Sequence, residues 1–438
     1  MNFEKIFDKF LVKKIKNIEY HHVISSSFSI EVFKGEVSNY NCHSLDTSTI
    51  SAIINNKLIV SNTENLSSKT VDSFIDDMIE NANYLNKESG EIYAGHDKYK
   101  KFNFYNKDLK NINPQRKIDL VLEMERKLKA YDSRISDVEA AYSETEIIHQ
   151  YQNSNNIKLK RKFNNYSFGL YGIIKDNDEI KTHYFIFEDK DLDKFNVDKL
   201  VKEVGDNLVK KLHPAKIESG KYNVVFSPEV TATLLEYYIA QLNAEKVLKG
   251  VSWFKDKLNT QVASKKVTVL ETPLKRDARF RAFDAQGVPT SNRILIKQGQ
   301  LLTYLHNLET ARKMKVTPTG HAVLSGAKID IKAHDALYLK PGRLTQDEIF
   351  MKTGNGIYIT ELEGLHAGMN PQSGDFSLKS EGFIIKNGKL DKAVDMITVN
   401  SNLFDIFNSI KQISQNIEYI HNGIFSPCIQ VDNIAIAV

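Results

Sequence analysis

Hydrophobic residues recur at intervals of three and four in three stretches of the N-terminal half. The clearest stripe occupies residues 71–85, ends at Leu85 and follows the Ser67-Ser68 pair, a pattern typical of a capped amphipathic helix. A second helix is predicted over residues 114–131, because the missing N–H of Pro114 costs nothing in a first turn. A third stripe covers residues 197–208. The spacing therefore predicts three helices that each bury one face.

Between these helices, apolar and polar residues alternate, which predicts strands. Residues 28–33 and 50–60 are predicted strands, and the second contains an Asn55-Asn56 turn. Further along, the alternation predicts a meander of four antiparallel strands, at residues 137–142, 157–162, 166–174 and 182–187.

The second half is dominated by short strands and glycine turns. Residues 294–296 and 301–305 are predicted to pair across the turn 297–300. The Asn387-Gly388 dipeptide is a stronger hairpin signal, because both central residues of a tight primed turn favour positive φ.

One predicted helix interrupts these strands. It begins at Ser227 and Pro228, and Gly250 lies just beyond its end. Its apolar positions cover a broad face: Leu234, Leu235, Tyr238, Ile239 and Leu242. A helix so apolar among strands indicates that a curved sheet wraps around it.

These patterns predict an α+β protein of two domains, because 438 residues exceed one ordinary core. Residues 1–215 are expected to form an N-terminal mixed α/β domain. Residues 216–438 are expected to form a C-terminal curved, mostly antiparallel β-sheet or barrel-like domain, wrapped around the buried helix.

Composition narrows the possible partners and compartments. A formal charge of +4, from 59 basic and 55 acidic residues, gives no electrostatic case for nucleic acid. Cys42 and Cys428 lie at opposite ends of the chain, which fits a reducing cytoplasm rather than a disulfide framework. No run of roughly 18 apolar residues occurs, and the first residues lack the apolar core of a signal peptide. We therefore expect a cytoplasmic protein with no membrane partner.

The C-terminal half contains a series of motifs in a fixed order. Asn-Pro-Gln-Ser-Gly-Asp-Phe-Ser occupies residues 370–377, and Glu-Gly-Phe-Ile-Ile-Lys-Asn-Gly occupies residues 381–388. Thr-Val-Asn-Ser-Asn-Leu follows at residues 398–403, and earlier blocks lie at residues 249–254, 283–289 and 356–360. Together these blocks resemble the C-terminal signature of the TldD/PmbA family. Ser401 departs from the family pattern, which has glycine there.

The resemblance implies one of two subunit types. The family pairs a zinc peptidase subunit of TldD type, which carries H-E-x-x-x-H on a helix, with a PmbA/TldE-type partner that lacks this motif. Zinc peptidases need imidazole ligands and a carboxylate base close together. In alignment with this motif, the chain has Leu235 and Ala240 at the two histidine positions and Glu236 at the carboxylate position. The resemblance therefore implies a PmbA/TldE-like chain with no metal or cofactor of its own, and zinc in a TldD-like partner.

Other metal sites have weaker support in the sequence. No two histidines stand at H-x-H, H-x-x-H, H-x-x-x-H or H-x-x-x-x-H spacing. A metal site that includes Cys428 remains an alternative, because TldD-type chains are similar in carrying a cysteine ligand near the C-terminus. Its neighbours lack the C-G-K of those chains, and we expect a buried small side chain instead. We expect Glu236 to be a helix residue that faces solvent.

The resemblance implies a metal-free subunit of a TldD/TldE-type metallopeptidase complex that acts on unfolded or modified peptides. Such a subunit would enclose the substrate and assemble with a TldD-like chain as a heterodimer, or with itself as a homodimer. Gly374, Asp375, Phe376 and Ser377 are the candidate chamber wall for an extended peptide; alternatively they form a tight turn with Phe376 packed beneath. No residue is assigned a catalytic role.

Two alternatives from other classes remain open. One is a non-catalytic peptide-binding homo-oligomer without a peptidase partner. The other is an independent hydrolase, although no G-x-S-x-G elbow is present. An older label of the family, modulator of DNA gyrase, finds no basic motif here.

Overall fold

The computed structural model describes residues 2–84, 90–95, 97–102, 104–420 and 423–438. Its helices are α1 Phe3–Val12, α2 Val71–Tyr84, α3 Pro114–Lys129, α4 Val197–Lys210, α5 Pro228–Ile239, α6 Ala244–Leu248, α7 Leu308–Met314, α8 Gln346–Thr353, α9 Leu365–Gly368 and α10 Leu403–Ser409. In the part of the chain so described, no helix is both long and apolar enough to cross a membrane.

The strands are numbered in chain order. The first ten are β1 Ile18–Phe33, β2 Glu36–Ile54, β3 Lys57–Thr63, β4 Ile135–Asn153, β5 Lys158–Asp176, β6 Glu179–Asp189, β7 Gly220–Phe226, β8 Val269–Glu271, β9 Arg293–Lys297 and β10 Gln300–Leu301. The others are β11 Ala322–Ser325, β12 Lys328–Ile331, β13 Leu337–Leu339, β14 Gly356–Glu363, β15 Asp375–Lys386, β16 Lys389–Asn402, β17 Ile410–Ile413, β18 Glu418–Ile420, β19 Ile424–Ser426 and β20 Ile429–Ala437.

Packing divides the chain into two compact units. Unit 1 contains Met1–Val209, Arg276–Thr290 and His306–Asp330; unit 2 contains Lys210–Lys275, Ser291–Leu305 and Ile331–Val438. Two segments of the second half therefore pack within unit 1, which a single cut in the sequence does not describe. The predicted division into domains of residues 1–215 and 216–438 stays a prediction.

Unit 1 is built on one antiparallel sheet with strand order β3-β2-β1-β4-β5-β6. Four of its strands are 16 to 19 residues long, and the sheet curls. Helices α1 and α2 bury their apolar faces against one end of this sheet, where Ile6, Phe10, Ile18, Ile50 and Ile75 form the centre of a core.

Several local predictions for unit 1 are confirmed. Helices α2 and α3 begin at Val71 and Pro114, and the turn between β2 and β3 is formed by Asn55 and Asn56 with φ of 50° and 61°. Leu85, the last residue of the predicted α2 stripe, lies outside the described residues.

The predicted meander of four strands is wrong in its count. The structure has three strands there, because β5 joins the segments 157–162 and 166–174 into one strand. The alternation was hidden by Asn164, a polar residue that is nevertheless buried. Its side chain donates to the Asn106 carbonyl at 2.7 Å and accepts from the Asn106 N–H at 2.8 Å. These bonds offset the cost of burying an amide.

Unit 2 contains two sheets. One has the order β16-β15-β14-β7-β20-β17, and an additional pairing of β16 with β20 closes five of its strands into a barrel. All its pairings are antiparallel except that of β7 with β14. The other sheet has the order β10-β9-β8-β13-β19-β18. The hairpin between β15 and β16 turns at Asn387 and Gly388 with φ of 52° and 76°, as predicted.

Helix α5 packs between the two sheets, against β14 of one and β19 of the other. Ser227 caps its first turn, and its Oγ accepts from the Val230 N–H at 3.2 Å. Farther along, Tyr238 is completely buried, stacks on Phe407 with ring centroids 4.1 Å apart, and donates its hydroxyl hydrogen to the Val262 carbonyl. The fold is thus the α+β fold with a curved, barrel-like C-terminal part around a buried helix.

The burial of α5 predicts a large difference between two leucine substitutions in unit 2. Leu235 on α5 is 0% exposed and Leu390, next to the β15–β16 turn, is 44% exposed. Leu235→Ala should lower the free energy of unfolding by about 2–5 kcal/mol, because it leaves a cavity, and Leu390→Ala by less than about 1 kcal/mol. Urea denaturation followed by the fluorescence of Trp253, the single tryptophan, measures both. Equal losses would contradict a core position for Leu235.

Candidate functional site

The three positions aligned with a zinc motif lie along α5 and at its end. Leu235 is completely buried, whereas Ala240 caps the C-terminus of the helix and is exposed. Five residues on a helix of 3.6 residues per turn are about 140° apart, which explains why the two side chains differ in burial. The first position belongs to the core and the second to the surface.

Glu236 lies on the solvent side of the same helix. Its side chain is 37% exposed, and its Oε1 is 3.6 Å from Nζ of Lys332, whose side chain is 56% exposed. An ion pair so exposed contributes little to stability. The geometry agrees with the expectation of a helix residue that faces solvent.

The residues at these positions do not fit a zinc ion. Leucine and alanine offer no donor atom, and a single carboxylate is short of the three or four protein ligands that zinc sites use. No step of peptide hydrolysis can therefore be assigned to this part of the chain.

Cys428 lies in the core of unit 2. It is 1% exposed and packs with Val225, Ile349 and Tyr358. Burial raises the pKa of its thiol to about 12. A thiol that stays protonated is a poor metal ligand. Among the described residues, Cys428 belongs to no group of three or more side chains close enough to share an ion. This agrees with the expected buried small side chain.

Sequence reasoning missed a buried carboxylate and a buried histidine in unit 2. Glu271 is 0% exposed, and its Oε1 accepts from the backbone N–H of His334 at 2.7 Å. His334 is 7% exposed. No spacing rule could find them, because 63 residues separate them in the chain.

Residues 370–377, named here turn 370–377, form a tightly hydrogen-bonded turn that continues into the first three residues of β15. Gly374 donates its N–H to the Asn370 carbonyl at 2.8 Å, and Asn370 donates its own to the Asp375 carbonyl at 2.8 Å. Oδ1 of Asn370 accepts from the N–H of Gln372 at 2.9 Å. The turn requires φ of +81° at Gly374, a value that a residue with a Cβ rarely adopts.

Trp253 fixes this turn from one side. Its Nε1 donates to the Gln372 carbonyl at 2.8 Å. A Cβ at Gly374 would lie 3.1 Å from the indole ring, so the ring closes the space above the glycine. The neighbouring Phe254 is completely buried against Tyr238, which ties the turn to the core around α5.

Asn402 fixes the turn from the other side. Its Nδ2 donates to the Ser373 carbonyl at 2.9 Å and to Oδ1 of Asp375 at 2.8 Å. Its Oδ1 accepts from the N–H of Phe404 at 2.9 Å and so caps α10. Bonds from Asn402 and Ser373 lower the pKa of Asp375, which therefore carries its charge at neutral pH.

The four predicted residues of the chamber wall divide into two pairs. Gly374 and Phe376 are buried, as a tight turn with a phenylalanine beneath it requires. Asp375 and Ser377 are exposed. The two exposed side chains, held on a rigid turn, are available to a ligand in unit 2, and their role in a chamber wall stays a prediction.

Comparisons with known proteins agree with the motif series. The profile described as PmbA/TldA metallopeptidase C-terminal domain matches residues 219–438, and that of the PmbA/TldA metallopeptidase central domain matches residues 107–212.

Individual relatives are distant. A metalloprotease of Archaeoglobus fulgidus is 28% identical over 225 residues, which are 51% of this chain and 52% of the relative, so the chain spans about half the length of that relative. A metalloprotease PmbA homolog of Buchnera aphidicola is 23% identical over 94% of this chain and 96% of its own length. The structure of TldE from Thermococcus kodakarensis superposes with a TM-score of 0.89 at 18% identity, over 99% of each chain. At that identity the superposition shows the fold alone.

The packing of Trp253 predicts unequal costs for two glycine substitutions. Gly374→Ala introduces a Cβ at positive φ against the indole ring, whereas Gly364, with φ of +77°, has nothing within 4 Å of the same position. Both variants should lose about 1 kcal/mol from backbone strain, and Gly374→Ala should lose roughly 1–3 kcal/mol more, because it displaces the ring. Urea denaturation followed by Trp253 fluorescence compares them. Equal losses would show that the indole yields without cost.

Proposed function

Because this chain belongs to the PmbA/TldA metallopeptidase family, we propose that it is the metal-free, PmbA/TldE-like subunit of a TldD/TldE-type zinc peptidase complex. The observation that carries the proposal is the chemistry of α5, where Leu235 is part of the core and Ala240 offers no ligand. A chain with these residues depends on a partner for zinc.

The partner would be a TldD-like chain that carries H-E-x-x-x-H, and its zinc would supply the Lewis acid for hydrolysis of a peptide bond. This chain would enclose the substrate and hold it in place. An unfolded or modified peptide in extended form can be held largely through its main chain, which permits loose sequence preference.

Turn 370–377 is the surface that we propose for substrate contact. It is held by Trp253 on one side and Asn402 on the other. Since both supports are themselves anchored in unit 2, Asp375 and Ser377 are presented in a fixed geometry, as a binding surface requires. The charge of Asp375 favours peptides with a basic or amino group nearby.

The test is purification of the tagged chain from cells that express it at its natural level. Zinc is measured by elemental mass spectrometry, and copurifying chains are identified by peptide mass spectrometry. The proposal predicts zinc in proportion to a second chain with H-E-x-x-x-H, and no zinc on this chain purified alone.

Two outcomes would contradict it. If no such chain copurifies and the protein self-assembles, a peptide-binding homo-oligomer replaces the proposed subunit. If this chain alone holds one zinc, then Cys428, Glu271 and His334 are the first residues to substitute.

Glu236 provides a second test within the assembled complex. Glu236→Ala should leave cleavage of a fluorescently labelled unfolded polypeptide within severalfold of the wild-type rate, because the carboxylate is partly exposed and pairs with the exposed Lys332. Lys332→Ala, which breaks the same ion pair, is the matched control. Loss of a true general base would cost about a hundredfold or more. Such a loss in Glu236→Ala alone, with assembly intact, would give Glu236 a catalytic role.

A further inference from the structure

Unit 1 contains a cluster of buried ionisable groups that the proposed peptidase role does not use. Glu19 on β1 and Tyr151 on β4 are both 0% exposed. The hydroxyl of Tyr151 lies 3.1 Å from Oε2 of Glu19 and 2.9 Å from the Gln286 carbonyl. A tyrosine hydroxyl has one hydrogen, so it can donate fully to only one of these two acceptors.

Gln286 belongs to residues 283–289, named here segment 283–289, one of the motif blocks of the sequence. Within it, Oδ1 of Asp284 accepts from the N–H groups of Gln286 at 2.8 Å and Val288 at 3.0 Å. Oδ2 of Asp284 accepts from the Ala322 N–H at 3.0 Å. These bonds give the segment its shape but do not attach it to β1 or β4.

Besides the bonds that Ala322 and Leu308 make with the segment, two tyrosine hydroxyls donate to its main-chain carbonyls. Tyr99 donates to the Gly287 carbonyl at 2.6 Å, and Tyr151 reaches the neighbouring carbonyl of Gln286. Tyr151 also accepts from Nδ2 of Asn153 at 3.1 Å. The direction of the Tyr151 hydroxyl hydrogen therefore decides whether the Gln286 carbonyl accepts a hydrogen bond from Tyr151.

The protonation of Glu19 decides that direction. Desolvation raises the pKa of Glu19 to about 8, so the carboxyl keeps its proton at neutral pH. A carboxylic acid can donate to the Tyr151 oxygen, which leaves the tyrosine hydrogen for the Gln286 carbonyl. A carboxylate can only accept, and it draws the tyrosine hydrogen to itself.

We propose that Glu19 and Tyr151 form a proton-dependent latch that holds segment 283–289 on the sheet of unit 1 while the Glu19 carboxyl is protonated, and loosens it on ionisation. The ionised carboxyl also repels Asp284, which adds to the loosening. The latch goes beyond the proposed peptidase role and stands without it.

Other ionisable groups lie around the pair on several elements of unit 1. They are His21 on β1, His149 on β4, Arg161 on β5 beside His149, Asp284 and Arg281 in or next to the segment, and Tyr93 and Tyr99 near Asp284. Burial lowers the pKa of His21 to about 4 and that of His149 below its ordinary value. Both imidazoles are therefore neutral at pH 7 and do not neutralise an ionised Glu19.

The latched form becomes less stable as pH rises from neutral to alkaline. A Glu19 carboxyl released to water regains its ordinary pKa of 4.5, whereas the latched carboxyl keeps its proton up to about pH 8. The latched form therefore binds more protons, and its stability is lost as pH rises through this window and levels off above it. Above pH 6.5, Asp284, with a pKa raised to about 6, is already mostly ionised, and His21 is neutral. Between pH 6.5 and 8, Glu19 controls the dependence.

Hydrogen exchange in the intact chain measures how strongly segment 283–289 is held. The amides of Gln286 and Val288 are followed by mass spectrometry, and protection factors are corrected for the intrinsic effect of pH. In the wild type, protection should fall about fifteenfold between pH 6.5 and 8, with a slope that approaches tenfold per pH unit only below the pKa of Glu19. In Glu19→Gln, which is neutral throughout, it should change by less than about threefold. Glu80→Gln, an exposed glutamate of α2, should follow the wild type.

Two results would overturn the proposal: a wild-type protein without the fall, or a Glu19→Gln variant that keeps it. If Glu19→Gln does not fold, Tyr151→Phe gives a second test. Removal of the hydroxyl deprives ionised Glu19 of a donor, so the fall should continue above pH 8, where the wild type levels off. Levelling at the wild-type pH in a folded Tyr151→Phe protein would also overturn the proposal.

Discussion

The burial of α5 between two sheets is the constraint on which unit 2 depends. A helix covered from both sides must present apolar side chains in both directions, and Leu235 and Tyr238 meet this requirement. The same requirement leaves only the end of the helix and one narrow side for polar chemistry, where Ala240 and Glu236 lie. In this chain the helix is used for packing. The exposed side chains Asp375 and Ser377 lie instead on turn 370–377, which Trp253 contacts.

Turn 370–377 is held in place by two side chains of unit 2. Trp253 and Asn402 are far apart in sequence, yet each donates a hydrogen bond to a main-chain carbonyl of turn 370–377. Because Asn402 also caps α10, any movement of the turn would cost a helix cap as well. The exposed Asp375 and Ser377 are therefore held by bonds that other elements of unit 2 already need.

The sequence was most informative where structure is set by a few neighbouring residues. The Ser227-Pro228 helix start and the Asn387-Gly388 hairpin were found because capping and positive φ are local requirements. Helix α1 was not predicted. Strand β5 was predicted as two strands, because the hydrogen-bond partner that allows Asn164 to be buried lies 58 residues away. The attachment of segment 283–289 to unit 1 was missed for the same reason. In the candidate site, the motif at residues 370–377 predicted the turn. The contacts of Trp253 and Asn402 with the turn could not be predicted, because both residues are distant from it in sequence.

Under the proposed function, zinc in the working complex would be held by the partner and not by this chain. Anomalous scattering at the zinc absorption edge, from crystals of the copurified complex, locates the metal directly. We expect a peak bound by the histidines of the partner's H-E-x-x-x-H motif, with no zinc ligand from this chain. A peak coordinated by side chains of this chain would contradict it.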